Sequence, residues 1–131
     1  MRIRRFILLL FILLAAGVFS ACTVEQTATG QVEHVVICWL QEPGNPDARR
    51  KVIEATQSLK DIPGVLDIRT GSVLSSERSI VDDSFDIGIV ITFANEQAMR
   101  AYITHPKHKN VVENIIRPVV RKIVVYDFTD G

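Results

Sequence analysis

The chain has 131 residues, 47% of them hydrophobic and 23% charged, which is enough for one folded domain and too little for two. Fifteen Lys and Arg residues balance fifteen Asp and Glu residues, but Arg2, Arg4 and Arg5 all lie in the first five positions. The rest of the chain is therefore mildly acidic, which argues against a nucleic-acid-binding surface, because such a surface needs clustered Lys and Arg.

The first residues are typical of an export signal. The basic head Met1–Arg5 precedes fourteen apolar residues, Phe6–Phe19, which are fewer than the roughly 20 that a spanning helix needs. Residues 19–22, Phe-Ser-Ala-Cys, then resemble the bacterial lipobox, in which a cysteine after small residues receives a diacylglycerol. We expect residues 1–21 to be a lipoprotein signal peptide and Cys22 to be lipidated. An uncleaved anchor, or an ordinary signal with a chance cysteine, is the alternative.

Cleavage before Cys22 would leave 110 residues, in which twelve basic residues face fifteen acidic ones for a net charge of −3. Several acyl chains on one cysteine would hold the protein at a membrane durably. Thr23 follows the cysteine in place of Asp, and by resemblance to lipoprotein sorting this favours export to the periplasmic side of the outer membrane. Residues 22–31 are small and polar, and they predict a tether.

The run Val32–Leu40 predicts a first strand with apolar residues on both faces. One face would carry His34, Val36, Cys38 and Leu40, and the other Val35, Ile37 and Trp39. Because Cys38 lies inside this run, we expect it to be a small buried hydrophobe and not the disulfide partner of Cys22.

A helix, a strand and a loop follow. Asn45 and Pro46 predict a helix start, because the amide can cap the first turn and proline at the first position loses no hydrogen bond. We expect this helix to run to about Lys60. Residues 65–74 predict a second strand, and the polar residues 75–84 a connecting loop.

The third predicted strand has the clearest alternation in the chain. Its apolar face would carry every second residue, namely Phe85, Ile87, Ile89, Ile91 and Phe93. Gly88 falls on the opposite face and, because it has no side chain, we expect it to leave space there for a ligand.

Two helical segments and a strand complete the chain. Asn95 predicts a helix start, and His105 predicts an interruption, because the residue before a proline avoids the helical region. Pro106 can restart a helix that continues to about Arg117. Residues 119–128 predict the fourth strand.

The order β-α-β-β-α-β predicts an α+β, ferredoxin-like fold, with a four-stranded antiparallel sheet and both helices on one face. The other face stays bare. It should be too apolar for water, whether it carries His34, Val36 and Cys38 or their neighbours. We therefore expect a partner or ligand to cover it.

Several stretches within residues 32–128 resemble the stress-responsive α/β-barrel family, also called Dabb domains. The matching pieces are His34 with the strand after it, Ile62-Pro63-Gly64-Val65, Asp86 to Phe93, Tyr102-Ile103-Thr104-His105-Pro106-Lys107-His108, and Val125-Tyr126-Asp127-Phe128. Many family members carry a lysine five residues after the first histidine, where this chain has Trp39. The resemblance implies a symmetric homodimer whose two sheets close a barrel around an apolar cavity, which we expect to open near the second helix and residues 75–84.

Plant polyketide cyclases of this fold look similar from Tyr102 to His108. This implies that Tyr102 would polarise a substrate carbonyl and that His108 would abstract a proton. An acid/base enzyme of the cyclase, isomerase or lyase type, acting on a carbonyl compound, is therefore the alternative function. We favour a membrane-tethered dimer, linked to stress, that binds a small apolar or aromatic molecule in the barrel. Its predicted binding residues are His34, Val36, Gly88 and His105. A purely structural envelope protein is a third hypothesis.

The three histidines His34, His105 and His108 also form a conceivable zinc site, but their spacing does not establish tetrahedral placement. His105 serves equally well as a helix breaker, and His34 as its hydrogen-bonded partner. The chain has neither a Gly-rich phosphate loop nor a Gly-x-Ser-x-Gly elbow. We therefore expect no metal and no cofactor.

Overall fold

The computed structural model of the chain describes residues 30–129. The predicted signal peptide, the lipidation at Cys22 and nearly all of the predicted tether lie outside the described residues. Within residues 30–129, no helix is both long enough and apolar enough to cross a membrane.

The described part of the chain forms four strands and three helices. In chain order they are β1 (Val32–Leu40), α1 (Pro46–Gln57), β2 (Val65–Ser72), β3 (Ile87–Phe93), α2 (Glu96–Thr104), α3 (Pro106–Val111) and β4 (Val120–Thr129). Between α3 and β4 the chain makes a π-helical turn at Val112–Ile116 and a 3-10 turn at Arg117–Val119. The predicted restart at Pro106 is therefore helical to Val119, but it is an α-helix only to Val111.

The strands form one antiparallel sheet in the order β2-β3-β1-β4. Central β1 pairs with β3 and β4, so that His34 lies opposite Ile91 on one side and Asp127 on the other. The predicted ferredoxin-like fold is confirmed, with the helices packed on one face of the sheet.

Side-chain caps fix the helix starts that the sequence predicts. The Asn45 side-chain oxygen accepts hydrogen bonds from the backbone N–H groups of Asp47 and Ala48, at 2.9 and 3.0 Å. Asn95 caps α2 in the same way. Helix α1 ends at Gln57, before the expected Lys60, because the chain there continues in tighter turns with i to i+3 hydrogen bonds.

Strand β3 begins at Ile87 and not at the expected Phe85, because the Asp86 carboxylate is hydrogen-bonded to the backbone at the end of β1 and in the turn after it. One oxygen of the buried Asp86 carboxylate accepts from the Leu40 N–H at 2.8 Å, and the other accepts from the Gly44 N–H at 2.6 Å. This pair of bonds ties the end of β1 and the turn after it to the start of β3.

The Phe85 ring consequently lies on the face opposite Ile87, in an edge-to-face contact with Trp39 at 6.4 Å between ring centroids. It comes within 3.8 Å of the point that a Cβ atom on Gly88 would occupy. Phe85 and Ile37 thus lie at ordinary contact distance from that point, and the expectation that Gly88 leaves space for a ligand stays a prediction.

The strand pattern did not show which face of the sheet the helices cover. That covered face carries His34, Val36, Cys38 and Leu40 from β1, and Ile87, Ile89, Ile91 and Phe93 from β3. The other face, called the open face here, carries the alternate residues Val35, Ile37, Gly88, Val90, Val124, Tyr126 and Phe128. The bare face could have carried either His34, Val36 and Cys38 or their neighbours along the strand. The structure shows that it carries the neighbours.

Candidate functional site

A cavity of about 410 Å³ lies between the sheet and the helices, and it is called the helix-side cavity below. Its apolar walls are Val36, Cys38, Leu59, Ile89, Ile91, Ile103, Val112, Ile116, Ile123 and Val125. Its polar lining consists of His34, Thr56, Tyr102, His108, Arg117 and Asp127. A mostly apolar cavity of this size with a few polar groups is typical of a small-molecule site.

The helix-side cavity is not the cavity expected between two paired sheets. It lies within a single chain, on the covered face, and none of residues 75–84 lines it. It brings together four of the predicted site residues, His34, Val36, Tyr102 and His108. The structure places His34, Tyr102 and His108 on the covered face and not on the open face that was expected to line a barrel interior, because the sheet itself lies between them and the open face.

Tyr102 and His108 come together because the helix breaks between them. Tyr102 lies near the end of α2 and His108 in the first turns of α3, on either side of His105, which has an extended conformation with ψ of 133°. The two rings are 4.5 Å apart between centroids and inclined by 45°. The break before Pro106 thus places a phenol and an imidazole side by side in the lining.

The environment of His108 keeps its ring neutral near neutral pH. Burial lowers the pKa of His108, the nearby imidazoles of His34 and His105 lower it further, and a hydrogen bond to Ile103 opposes them. The Nδ1 atom of His108 donates to the Ile103 carbonyl oxygen at 3.1 Å, since that oxygen only accepts. In the neutral ring, Nε2 is then the nitrogen that can accept a proton.

Tyr102 is suited to donate a hydrogen bond. Its side chain is buried and packs on Phe93, with 4.9 Å between the ring centroids. Burial raises the pKa of the Tyr102 hydroxyl well above its ordinary value, so the hydroxyl stays protonated at neutral pH.

His34 is held by Asp127, which lies opposite it on the neighbouring strand. The His34 Nδ1 atom is 2.5 Å from an Asp127 carboxylate oxygen and donates to it. The His34 ring also contacts the Tyr102 ring edge to face, at 6.3 Å. One end of the cavity is therefore polar, with Tyr102, His108 and the His34–Asp127 pair.

Two predicted site residues, His105 and Gly88, do not line the cavity. His105 caps α3, since its Nδ1 atom accepts a hydrogen bond from the Lys107 N–H at 3.1 Å. Gly88 lies on the open face. No group of three or more His, Cys, Asp and Glu residues in the described range 30–129 is arranged to hold a metal ion.

Three polar lining residues were missed by the sequence reasoning. Asp127 could have been found from the pairing of the first and last strands, which sets it opposite His34. Thr56 lies one turn after Val52 on the apolar face of α1, and its hydroxyl is buried with no hydrogen-bond partner among residues 30–129. Arg117 gave no signal, because its position depends on the π-helical turn before it.

Comparison with known proteins is consistent with this architecture. A family model described as "Stress responsive A/B Barrel Domain" matches residues 32–130. A search of curated proteins gives no match.

Several solved structures share the fold. A family protein of Mesorhizobium loti with a ferredoxin-like fold is 23% identical, with a TM-score of 0.65 over 78% of this chain and 98% of that one. A dimeric ferredoxin-like protein of Thermobifida fusca is 24% identical, with a TM-score of 0.63 over 77% of this chain and 92% of that one. Hydroxynitrile lyase from Passiflora edulis is 18% identical, with a TM-score of 0.68 over 79% and 95%. At these identities the likeness establishes the fold alone.

Proposed function

Since the chain belongs to the stress-responsive A/B barrel (Dabb) family, we propose that it is a membrane-tethered homodimer that binds a small apolar or aromatic molecule in the helix-side cavity. The observation that carries the proposal is the cavity itself, an apolar space of about 410 Å³ with its polar groups gathered mainly at one end.

Native mass spectrometry of the purified protein tests the binding proposal. We expect a fraction of the protein to carry a co-purified small molecule, which is released on denaturation. A Val36→Trp variant, which fills the cavity, should come out empty, whereas an Ile80→Trp variant in an exposed loop should retain the molecule. Wild-type protein that always emerges empty from several expression hosts would contradict the proposal.

The homodimer is supported by the open face and by the dimeric description of the Thermobifida fusca structure. Val35, Ile37 and Val90 form the middle of the open face, and Tyr126 and Phe128 lie along β4 with 59% and 53% of their surface exposed. Contiguous exposed apolar residues of this kind are typical of a surface that a partner covers.

The membrane tether depends on acylation of Cys22, which we propose from the lipobox-like residues before it. In a bacterial host fed labelled palmitate, the wild-type chain should incorporate the label and fractionate with membranes. Cys22→Ala should lose the label, and Cys38→Ala should keep it, because the buried Cys38 thiol is unrelated to the signal. Label on a Cys22→Ala chain would rule out this tether.

A second candidate function, acid/base catalysis on a carbonyl compound, is favoured by the contact between Tyr102 and His108. The Tyr102 hydroxyl would donate a hydrogen bond to the carbonyl oxygen, while His108 Nε2 would remove a proton from the substrate. The name of the Passiflora edulis relative, a lyase, agrees with such chemistry on this fold.

A panel of cyclase, isomerase and lyase substrates, hydroxynitriles included, tests the second candidate. Any activity found should fall by about 100-fold or more in His108→Gln, the range of general-base contributions, while the fold is retained. His105→Asn is the matched control, because His105 lies outside the cavity lining and asparagine can keep the cap on α3. Full activity in His108→Gln would exclude His108 as the base.

A further inference from the structure

The charged groups of the helix-side cavity lie at two separated ends. Tyr102 contacts His34 at one end. Arg117 belongs to the other end, because the turn that contains it leads into Val120, which pairs with Leu40 at the far end of β1. His108 and Arg117 are nine residues apart on one helical segment, which corresponds to about 13 Å along its axis.

The sheet wall between these ends is apolar. Val36 lies between them on β1, with Ile89 opposite it on β3 and Val125 opposite it on β4. All three side chains line the cavity. A molecule that reaches from one end to the other must therefore have an apolar body.

Charge distinguishes the two ends. Asp127 lies at the Tyr102 end, where it is paired with His34, and it would repel an anion. Arg117 is the cationic side chain of the lining at the opposite end, and 66% of that side chain is exposed, which places it at the mouth. An anionic group would be favoured beside Arg117 and disfavoured beside Asp127.

The Arg117 guanidinium is available for a ligand. Among the described residues, Arg117 forms an ion pair with Glu113, whose carboxylate oxygen is 3.4 Å from Nε. Both side chains are well exposed. Exposed i, i+4 pairs of this kind are weak. A guanidinium has five N–H donors and can bind a carboxylate through two parallel hydrogen bonds, so most of its capacity is unused.

We infer that the molecule bound in the helix-side cavity is an amphipathic carboxylic acid, whose carboxylate binds Arg117 at the mouth and whose apolar body extends toward Tyr102. This inference rests on the proposed function, because it names the chemistry of the molecule that the cavity would bind. It also assigns Arg117 as the residue that determines the preference for acids.

Isothermal titration calorimetry with octanoate and octanamide tests the inference, because the two probes share an apolar chain and differ in head-group charge. The protein extracted from the membrane fraction is titrated in lipid nanodiscs, and empty nanodiscs give the blank. We expect octanoate to bind about five- to tenfold more tightly than octanamide, the size of one charge-assisted hydrogen-bond pair at a partly exposed site.

Arg117→Gln should abolish the preference for octanoate and leave octanamide binding unchanged. Arg100→Gln is the matched control, because Arg100 is similarly exposed and similarly paired, with Glu96, yet lies outside the cavity lining. It should keep the preference. Glu113→Gln should increase octanoate affinity, because it frees the guanidinium, and this variant also serves if Arg117→Gln does not fold.

The outcomes separate the inference from the proposed function. Equal binding of the two probes to the wild type, or a preference that survives in Arg117→Gln, would overturn the assignment of Arg117 and leave cavity binding intact. If neither probe nor any co-purified molecule binds, the proposed function fails and the inference fails with it. A preference lost in Arg117→Gln and kept in Arg100→Gln supports both.

Discussion

Burial shifts the proton affinities of Tyr102 and His108 in opposite directions while their rings remain in contact. The phenol keeps its proton to higher pH than usual, and the imidazole loses its proton at lower pH than usual. At neutral pH the same pair therefore offers one hydrogen-bond donor and one proton acceptor. A bound carbonyl compound could use both.

The lowered pKa of His108 makes stability depend on pH. The unfolded chain binds a proton on this ring near pH 6.5, its ordinary value, whereas the folded chain binds the proton only at lower pH. The stability that this residue contributes is complete above pH 6.5 and is lost as the pH falls through the folded pKa. Urea unfolding between about pH 7.5 and about pH 5 should show a shallower loss in His108→Gln than in the wild type. Identical pH slopes for the two proteins would contradict this.

The buried hydroxyl of Thr56 should reduce the stability of the free protein. It is 2% exposed and has no hydrogen-bond partner among residues 30–129, which leaves its desolvation uncompensated. Thr56→Val should therefore raise the free energy of unfolding by about 1 kcal/mol, measured by urea titration. Thr104→Val is the control. The Thr104 hydroxyl is exposed and donates to helix carbonyl oxygens, so its removal should not raise the free energy of unfolding. Equal effects of the two substitutions would show that the Thr56 hydroxyl is already satisfied.

The residues of the site could be predicted from the sequence better than its location. His34, Tyr102 and His108 do share one cavity lining. However, β1 is apolar on both faces, so its alternation separates the two sets of residues without saying which set the helices cover. Arg117 could not be predicted, because a π-helical turn changes the direction of every side chain after it.

The elements themselves were largely predictable, because local chemistry fixes where they begin. Asn45 and Asn95 cap their helices as expected, and Pro106 restarts a helix after His105. The predicted start of β3 was wrong by two residues. Asp86 accepts hydrogen bonds from Leu40 and Gly44, which are distant in sequence, and a local pattern cannot predict such bonds.

The turn between α1 and β2 depends on Gly64, where the backbone has a φ of 90° and lies against α2. A Cβ atom at this position would be 2.5 Å from the Ala98 Cβ atom, so a side chain would force the helix and strand apart. Gly64→Ala should lower the free energy of unfolding by about 3 kcal/mol, from strain and overpacking together.

The matched control is Gly44→Ala. Gly44 also has a positive φ, of 76°, but a Cβ atom there would meet no atom within 4 Å. It should therefore cost only about 1 kcal/mol, the strain alone. Chemical denaturation of both variants measures the difference, and equal losses would show that contact with Ala98 is unimportant.

For the whole molecule, the proposed dimer predicts a sharp response to charge on the open face. Tyr126→Asp should weaken dimerisation by at least about tenfold, because it would bury an unpaired carboxylate. Ile80→Asp should have no effect, since Ile80 is exposed in a loop outside the sheet. Sedimentation equilibrium of the two variants measures the difference. An unchanged dimer in Tyr126→Asp would mean that another surface pairs the subunits.

Strand β1 contributes to both sides of the sheet, with His34 and Val36 in the cavity and Val35 and Ile37 on the open face. A slip of one position along its neighbours would send each of these side chains to the wrong side, and the binding pocket and the pairing surface would be lost together. Insertions and deletions in related chains should therefore be excluded from this strand and tolerated between β2 and β3, where chain length can vary without moving either surface.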